Sequence, residues 1–95
     1  MTAVKFAAED VAEITRRHRL QWEEAQQSWV LLYPEGMVKL NPSAGEILKR
    51  VDGARSVAEV VADLERAFPG VDLSKDVIAF LEAAHERGWI RAKAR

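Results

Sequence analysis

Polar and apolar positions alternate from His18 to Glu24, with Leu20 and Trp22 on one face and Arg19, Gln21 and Glu23 on the other. That is the period-2 pattern of a half-buried strand. Ala25 to Ser28 is short and polar, as a hairpin connection requires. Trp29 to Tyr33 is continuously apolar and rich in strand formers, which predicts a central strand. Pro34-Glu35-Gly36 supplies turn chemistry. The next stretch, Met37 to Leu40, alternates again: Val38 and Leu40 on one face, Met37 and Lys39 on the other. This third strand is short, carries a lysine and has no strong strand after it to pair with, so it is predicted to be a sheet edge.

At Asn41 the period changes to that of a helix. Asn41-Pro42 reads as N-cap and first helical residue, with Ser43-x-x-Glu46 as an overlapping capping box. Ala44, Ile47, Leu48 and Val51 share one face of a helix expected from Pro42 to Val51, and Asp52-Gly53 should end it. Ser56-x-x-Glu59 opens a second helix with an apolar stripe of Val57, Val60, Val61, Leu64 and Phe68, stopped by Pro69-Gly70. A third, from Asp72 or Ser74 to Gly88, turns Leu73, Val77, Phe80, Leu81 and Ala84 inward, and Trp89-Ile90 returns as a short extended segment. The order β-β-β-α-α-α predicts an α+β fold: an N-terminal three-stranded antiparallel sheet followed by three helices, in a winged helix-turn-helix-like arrangement. The domain is expected over residues 18–92. Residues 1–17 are expected as a tail, docked or exchanged, because only Val4, Phe6, Val11 and Ile14 offer anchors. A loosely held terminus and a short helix over Asp10 to Thr15 both fit that stretch. Residues 93–95 form a C-terminal tail.

Ninety-five residues suit one domain with a single modest core. The chain has no cysteine, which removes disulfides, thiolate nucleophiles and thiolate metal sites and fits a cytoplasmic location. No apolar run approaches the roughly 20 residues that span a bilayer. His18 and His85 stand in no metal-binding spacing, Ser43 and Ser56 are explained by capping, and the glycines form no phosphate-binding pattern. The reading is of a protein that is not an enzyme, with no cofactor and no metal.

Two binding classes remain, and charge separates them. A recognition helix in a DNA groove needs cations, yet Asp72, Asp76, Glu82 and Glu86 outnumber Lys75 and Arg87 on the third helix. The second is also net acidic, and the net charge of the chain is −1. Nucleic-acid binding therefore ranks below peptide binding at the strand edge, where unpaired backbone groups can accept an added strand. The same edge would also serve a self-associating homodimer.

The runs Leu20-Gln21-Trp22-Glu23, Trp29 to Gly36, Val38-Lys39-Leu40-Asn41 and Ser43 to Leu48 resemble the PqqD family, as do Asp52-Gly53, Phe68-Pro69 and Gly88-Trp89-Ile90. The likeness spans Arg19 to Ile90. It implies a peptide chaperone of pyrroloquinoline quinone (PQQ) biosynthesis, with the fold of a precursor-peptide recognition element. Such a protein would hold the precursor peptide PqqA and present it to the radical SAM enzyme PqqE. It also implies that the leader pairs with the third strand and lies against the first helix. Carried over, the site residues are Gly36, Met37, Val38, Lys39 and Leu40 on the strand and Ser43, Glu46, Ile47, Lys49 and Arg50 on the helix. On this reading Val38→Pro would weaken peptide binding and leave the fold mostly intact.

Overall fold

The computed structural model describes residues 6–93. In chain order the elements are β1 (Val11–Ile14), β2 (Arg19–Glu23), β3 (Ser28–Tyr33), β4 (Gly36–Lys39), α1 (Pro42–Leu48), β5 (Asp52–Ser56), α2 (Val57–Ala67), α3 (Ser74–Glu86) and β6 (Ile90–Ala92). The strands form two antiparallel sheets, ordered β2-β3-β4 and β5-β1-β6. The α+β fold class and the first sheet are those expected. Pro34 and Glu35 make the β3–β4 connection, leaving Tyr33 opposite Gly36, and β4 is an edge.

The second sheet was not expected. Val11–Ile14 is neither a loose terminus nor a short helix: it is the middle strand of that sheet, between β5 and β6. The pairing is non-local, Val11 opposite Ser56 and Ile14 opposite Ile90, so nothing in the local pattern announces it. Asp52-Gly53, read as a helix stop, instead begins β5, where the register against β1 is irregular and Gly53 takes φ 76°. Asp52 accepts hydrogen bonds from the Ala54 and Arg55 amides, which fixes that bend. Val4 lies outside the described residues, whereas Phe6 is buried with its ring edge-on to His85.

The helices start where the capping residues stand. Asn41 Oδ1 accepts from the Ala44 amide, with Pro42 at the first helical position. Ser43 plays a different part from the one its spacing suggested: its hydroxyl donates to Asn41 Oδ1, so it braces the cap. At α2 the capping box is complete, Ser56 and Glu59 each bonding the other's backbone amide. The first helix ends at Leu48, short of Val51, because Arg50 and Val51 donate to Ile47 and Leu48 and tighten the last turn. The third ends in a Schellman motif, with Gly88 N–H donating to His85 O, Trp89 N–H to Ala84 O, and Gly88 at φ 79°.

One core holds the layers together. Leu31 is 0% exposed and packs in a cluster with Leu40, Leu48, Val60, Leu64, Leu81 and Ile90. Each such side chain stabilises the fold by about 1.5–3 kcal/mol relative to exposure. The closest approach of helix to sheet is at Gly45, where a Cβ would lie 2.6 Å from Trp29 Cδ1 and 3.0 Å from its Cγ. Gly45→Ala gains about 1 kcal/mol of helix propensity. The overlap with an indole held between layers costs about 1–3 kcal/mol. The expected outcome is net destabilisation, seen as a lower urea midpoint; an unchanged or raised midpoint would show that α1 sits less tightly on β3.

Candidate functional site

Backbone geometry decides what the β4 edge can offer. Leu40 N–H donates to Trp29 O at 3.0 Å, so Leu40 faces inward along the ladder. In an antiparallel pair the inward positions alternate. The partners Val38–Leu31 and Gly36–Tyr33 are therefore bonded within the sheet, and Met37 and Lys39 direct their N–H and C=O groups away from β3. Side chains alternate with them: Val38 is half-buried and Leu40 buried, while Met37 and Lys39 are exposed. The expectation that Val38→Pro leaves the fold mostly intact is corrected here, because Val38 N–H belongs to the sheet and its loss damages the fold itself.

Beside this edge runs a trough whose far wall is α3. One part, of about 270 Å³, is lined by Val38, Lys39 and Leu40 on one side, Phe80, Ala83 and Arg87 on the other, and Trp89. A second part, of about 330 Å³, is bounded by His18, Tyr33 and Glu35 and shares Val38, Arg87 and Trp89 with the first. The two are continuous along β4. Trp89 is set in place from both sides: its amide closes the Schellman motif and its carbonyl accepts from Thr15 N–H at 2.9 Å. Arg87 lies over the Trp89 ring, 5.3 Å from the centroid, a cation–π contact that keeps the guanidinium at the trough. Thr15 Oγ1 directs its proton to Gly88 O at 2.6 Å. In the 2.9 Å contact with His18 the imidazole Nδ1 is therefore the donor. Tilted 32° against the Tyr33 ring at 5.8 Å between centroids, the imidazole closes the turn end of the trough.

The strand residues expected from the sequence thus gather at one edge, and the helix residues do not join them. Ser43, Glu46 and Ile47 line a separate hollow of about 500 Å³ between α1, α2 and α3. Lys49 is exposed and pairs with Glu46 at 3.4 Å. Arg50, expected among the residues that meet the peptide, is only 8% exposed. Its Nη1 donates to Glu46 O and Oε1, and its Nε donates to Asp63 Oδ2, tying α1 to α2. The wall facing the strand edge is chiefly α3, and α1 contributes Ala44 to it. The spacing from Phe80 to Ala83 and Arg87, about one turn each, was the signal that would have shown it.

The trough offers outward main-chain donors and acceptors, an apolar floor and two cations, Lys39 and Arg87. Among the described residues no three His, Cys, Asp or Glu side chains come together to hold a metal, and no helix is long and apolar enough to cross a membrane. An open strand edge over an apolar trough is the equipment of a recognition fold. The comparisons agree. The family model described as coenzyme PQQ synthesis protein D (PqqD) matches residues 28–90. The chain is 56% identical over 82 residues to a PqqA binding protein of Azotobacter vinelandii, covering 85% of this chain and 89% of that one. It is 57% identical over 83 residues to a PqqA binding protein of Pseudomonas aeruginosa, covering 86% and 90%. Its fold matches the solution structure of the PqqD part of Methylobacterium extorquens PqqCD, a stand-alone recognition element for ribosomally made, modified peptides. There the TM-score is 0.78 at 26% identity, over 96% of this chain and 99% of the other. The fold class is a peptide-recognition element and not an enzyme. The chain belongs to the PqqD family.

The Arg50 network makes stability depend on acid. Hydrogen bonds from Arg50 and then Arg66 hold the Asp63 carboxyl below its ordinary value of 3.8. Glu46 is held below 4.5, first by the Arg50 hydrogen bond and against the effect of burial. A carboxyl depressed in the folded state stabilises it above the unfolded pKa, and that stability is lost as pH falls through the folded value. Thermal stability should hold steady above about pH 5 and fall below it. Arg50→Met should cost about 2 kcal/mol at neutral pH and flatten the acid limb. A variant as stable as the parent at pH 7, with the same acid limb, would remove Arg50 as the tie between α1 and α2.

Proposed function

We propose that this protein binds the precursor peptide PqqA in PQQ biosynthesis, taking part of it as a fourth strand on β4, and presents it to the radical SAM enzyme PqqE. The observation that carries the binding mode is the outward pair of backbone amides at Met37 and Lys39 beside a trough walled by α3. The partner follows from the relatives in Azotobacter and Pseudomonas, which are PqqA binding proteins at 56% and 57% identity.

Energetics says what the trough must add. Two outward residues give up to four main-chain hydrogen bonds, each with a net value of about 0.5–1.5 kcal/mol. Ordering each peptide residue costs about 1–2 kcal/mol in backbone entropy. Pairing alone does not offset the ordering of even a five-residue segment, so side chains packed on Val38, Phe80 and Trp89 supply the balance. Arg87 and Lys39 favour an acidic residue among them. The protein then does no chemistry. It lowers the orientational cost of the enzyme's step by holding a flexible substrate in a fixed register.

Proline at an outward position tests this directly. Lys39→Pro removes an N–H that faces away from β3, so the sheet keeps its own bonds. Its affinity for the PqqA peptide should fall at least about tenfold, whereas Lys39→Ala, which loses only the side chain, should fall about threefold or less. Val38→Pro should instead lower the melting temperature. A folded Lys39→Pro variant that binds PqqA as tightly as Lys39→Ala rules out strand addition at β4.

A further inference from the structure

We propose that the hollow enclosed by α1, α2 and α3 is a second pocket for the same peptide, seating one large apolar side chain just beyond the segment paired with β4. The inference rests on the strand-addition reading and extends it to a residue that the strand edge never touches.

The hollow is larger than either part of the trough, at about 500 Å³, and its walls are Pro42, Ile47, Phe68, Leu73, Val77 and Phe80. Phe68 is the unexplained member. It is 47% exposed although it follows directly on the buried stripe of α2. A phenyl ring left half in water forgoes much of the stabilisation its burial would give. Its backbone is fixed: Phe68 N–H donates to Leu64 O at 2.9 Å as the helix cap, and Leu73 N–H donates to Glu65 Oε2 at 2.9 Å, closing the turn into α3. The backbone of the wall is in place before any ligand arrives, which lowers the cost of binding.

Continuity names the occupant. Phe80 lines both the trough and the hollow, and the chain passes from one to the other as Lys39, Leu40, Asn41 and Pro42. Three residue steps separate Lys39 from Pro42, at most about 10 Å. A peptide running along β4 toward Leu40 reaches the hollow within roughly three or four further residues. Charge restricts what accompanies the anchor. The rim carries Asp76, which forms no ion pair among the described residues, and Glu46, whose charge is already shared by Lys49 and Arg50. The trough carries Lys39 and Arg87. The bound segment should therefore place acidic residues along β4 and a neutral or basic residue next to the apolar anchor.

The experiment measures affinity of the full-length protein for the PqqA peptide and for PqqA variants in which each apolar residue is replaced singly by alanine. The protein variants are Phe68→Ala, Phe68→Leu and Lys39→Pro. Phe68→Ala should weaken PqqA binding about five- to twentyfold, with Phe68→Leu recovering most of it. One alanine variant of the peptide should weaken binding to the parent protein yet bind Phe68→Ala no worse than PqqA does, since both changes empty the same pocket. Parent-like binding by Phe68→Ala, with binding lost in Lys39→Pro, overturns the second pocket and leaves strand addition standing. Parent-like binding by both variants overturns both. A loss in Phe68→Ala that couples to no peptide residue, or that accompanies a change in the mass measured by light scattering, assigns the hollow to another partner or to a second copy and also overturns the proposal.

Discussion

Trp29 lying against Gly45 is the contact from which the site takes its shape. A helix backbone approaches an indole so closely only where no side chain intervenes. That approach seats α1 on β3, and β4 follows β3 through a connection of two residues. From there Leu31, Leu40, Leu48 and Leu81 fill one core between the sheet and the helices, so the distance from β4 to α3 is fixed by packing. The trough is what remains between two rigid walls. A looser contact at Gly45 would widen or close it without altering any residue that lines it.

The second sheet serves the same end from the opposite direction. Ile14 pairs with Ile90, and the carbonyls of Gly88 and Trp89 accept from Thr15. These bonds pull the end of α3 and the Trp89 ring toward the first sheet. The residues nearest the N-terminal end of the described chain therefore help to build the trough, although none of them between Val11 and Ile14 lines it. An open edge with an apolar neighbour is normally a hazard for self-pairing. Here Lys39 and Arg87 place charge along it, which works against pairing with a second copy of the same edge.

Much of this architecture was legible from the residues. Local period identified β2, β3, β4 and all three helices, and Ser56 with Glu59 and Asn41 with Pro42 marked two helix starts. Of the second sheet only β6 was legible, as the extended segment at Trp89-Ile90; β1 and β5 were not. Asp52 to Ser56 reads DGARS, all polar or small, and becomes a strand only through partners some forty positions away. The carry-over from the resemblance put Arg50 on the peptide-facing surface, and the structure does not. The guanidinium turned inward because Glu46 and Asp63 satisfy its hydrogen bonds there. The open strand edge was legible, and the helix that faces it was not. The alternation of a strand identifies its own edge, but which helix crosses that edge is set by the packing of all three.

The most direct test of the central claim, a peptide strand added at β4, is amide hydrogen exchange followed residue by residue with and without the PqqA peptide. The account predicts that Met37 and Lys39, whose N–H groups face away from β3, become strongly protected on binding. Val38 and Leu40, bonded within the sheet already, should change far less. Equal protection at all four positions, or none at Met37 and Lys39 under saturating peptide, would contradict it.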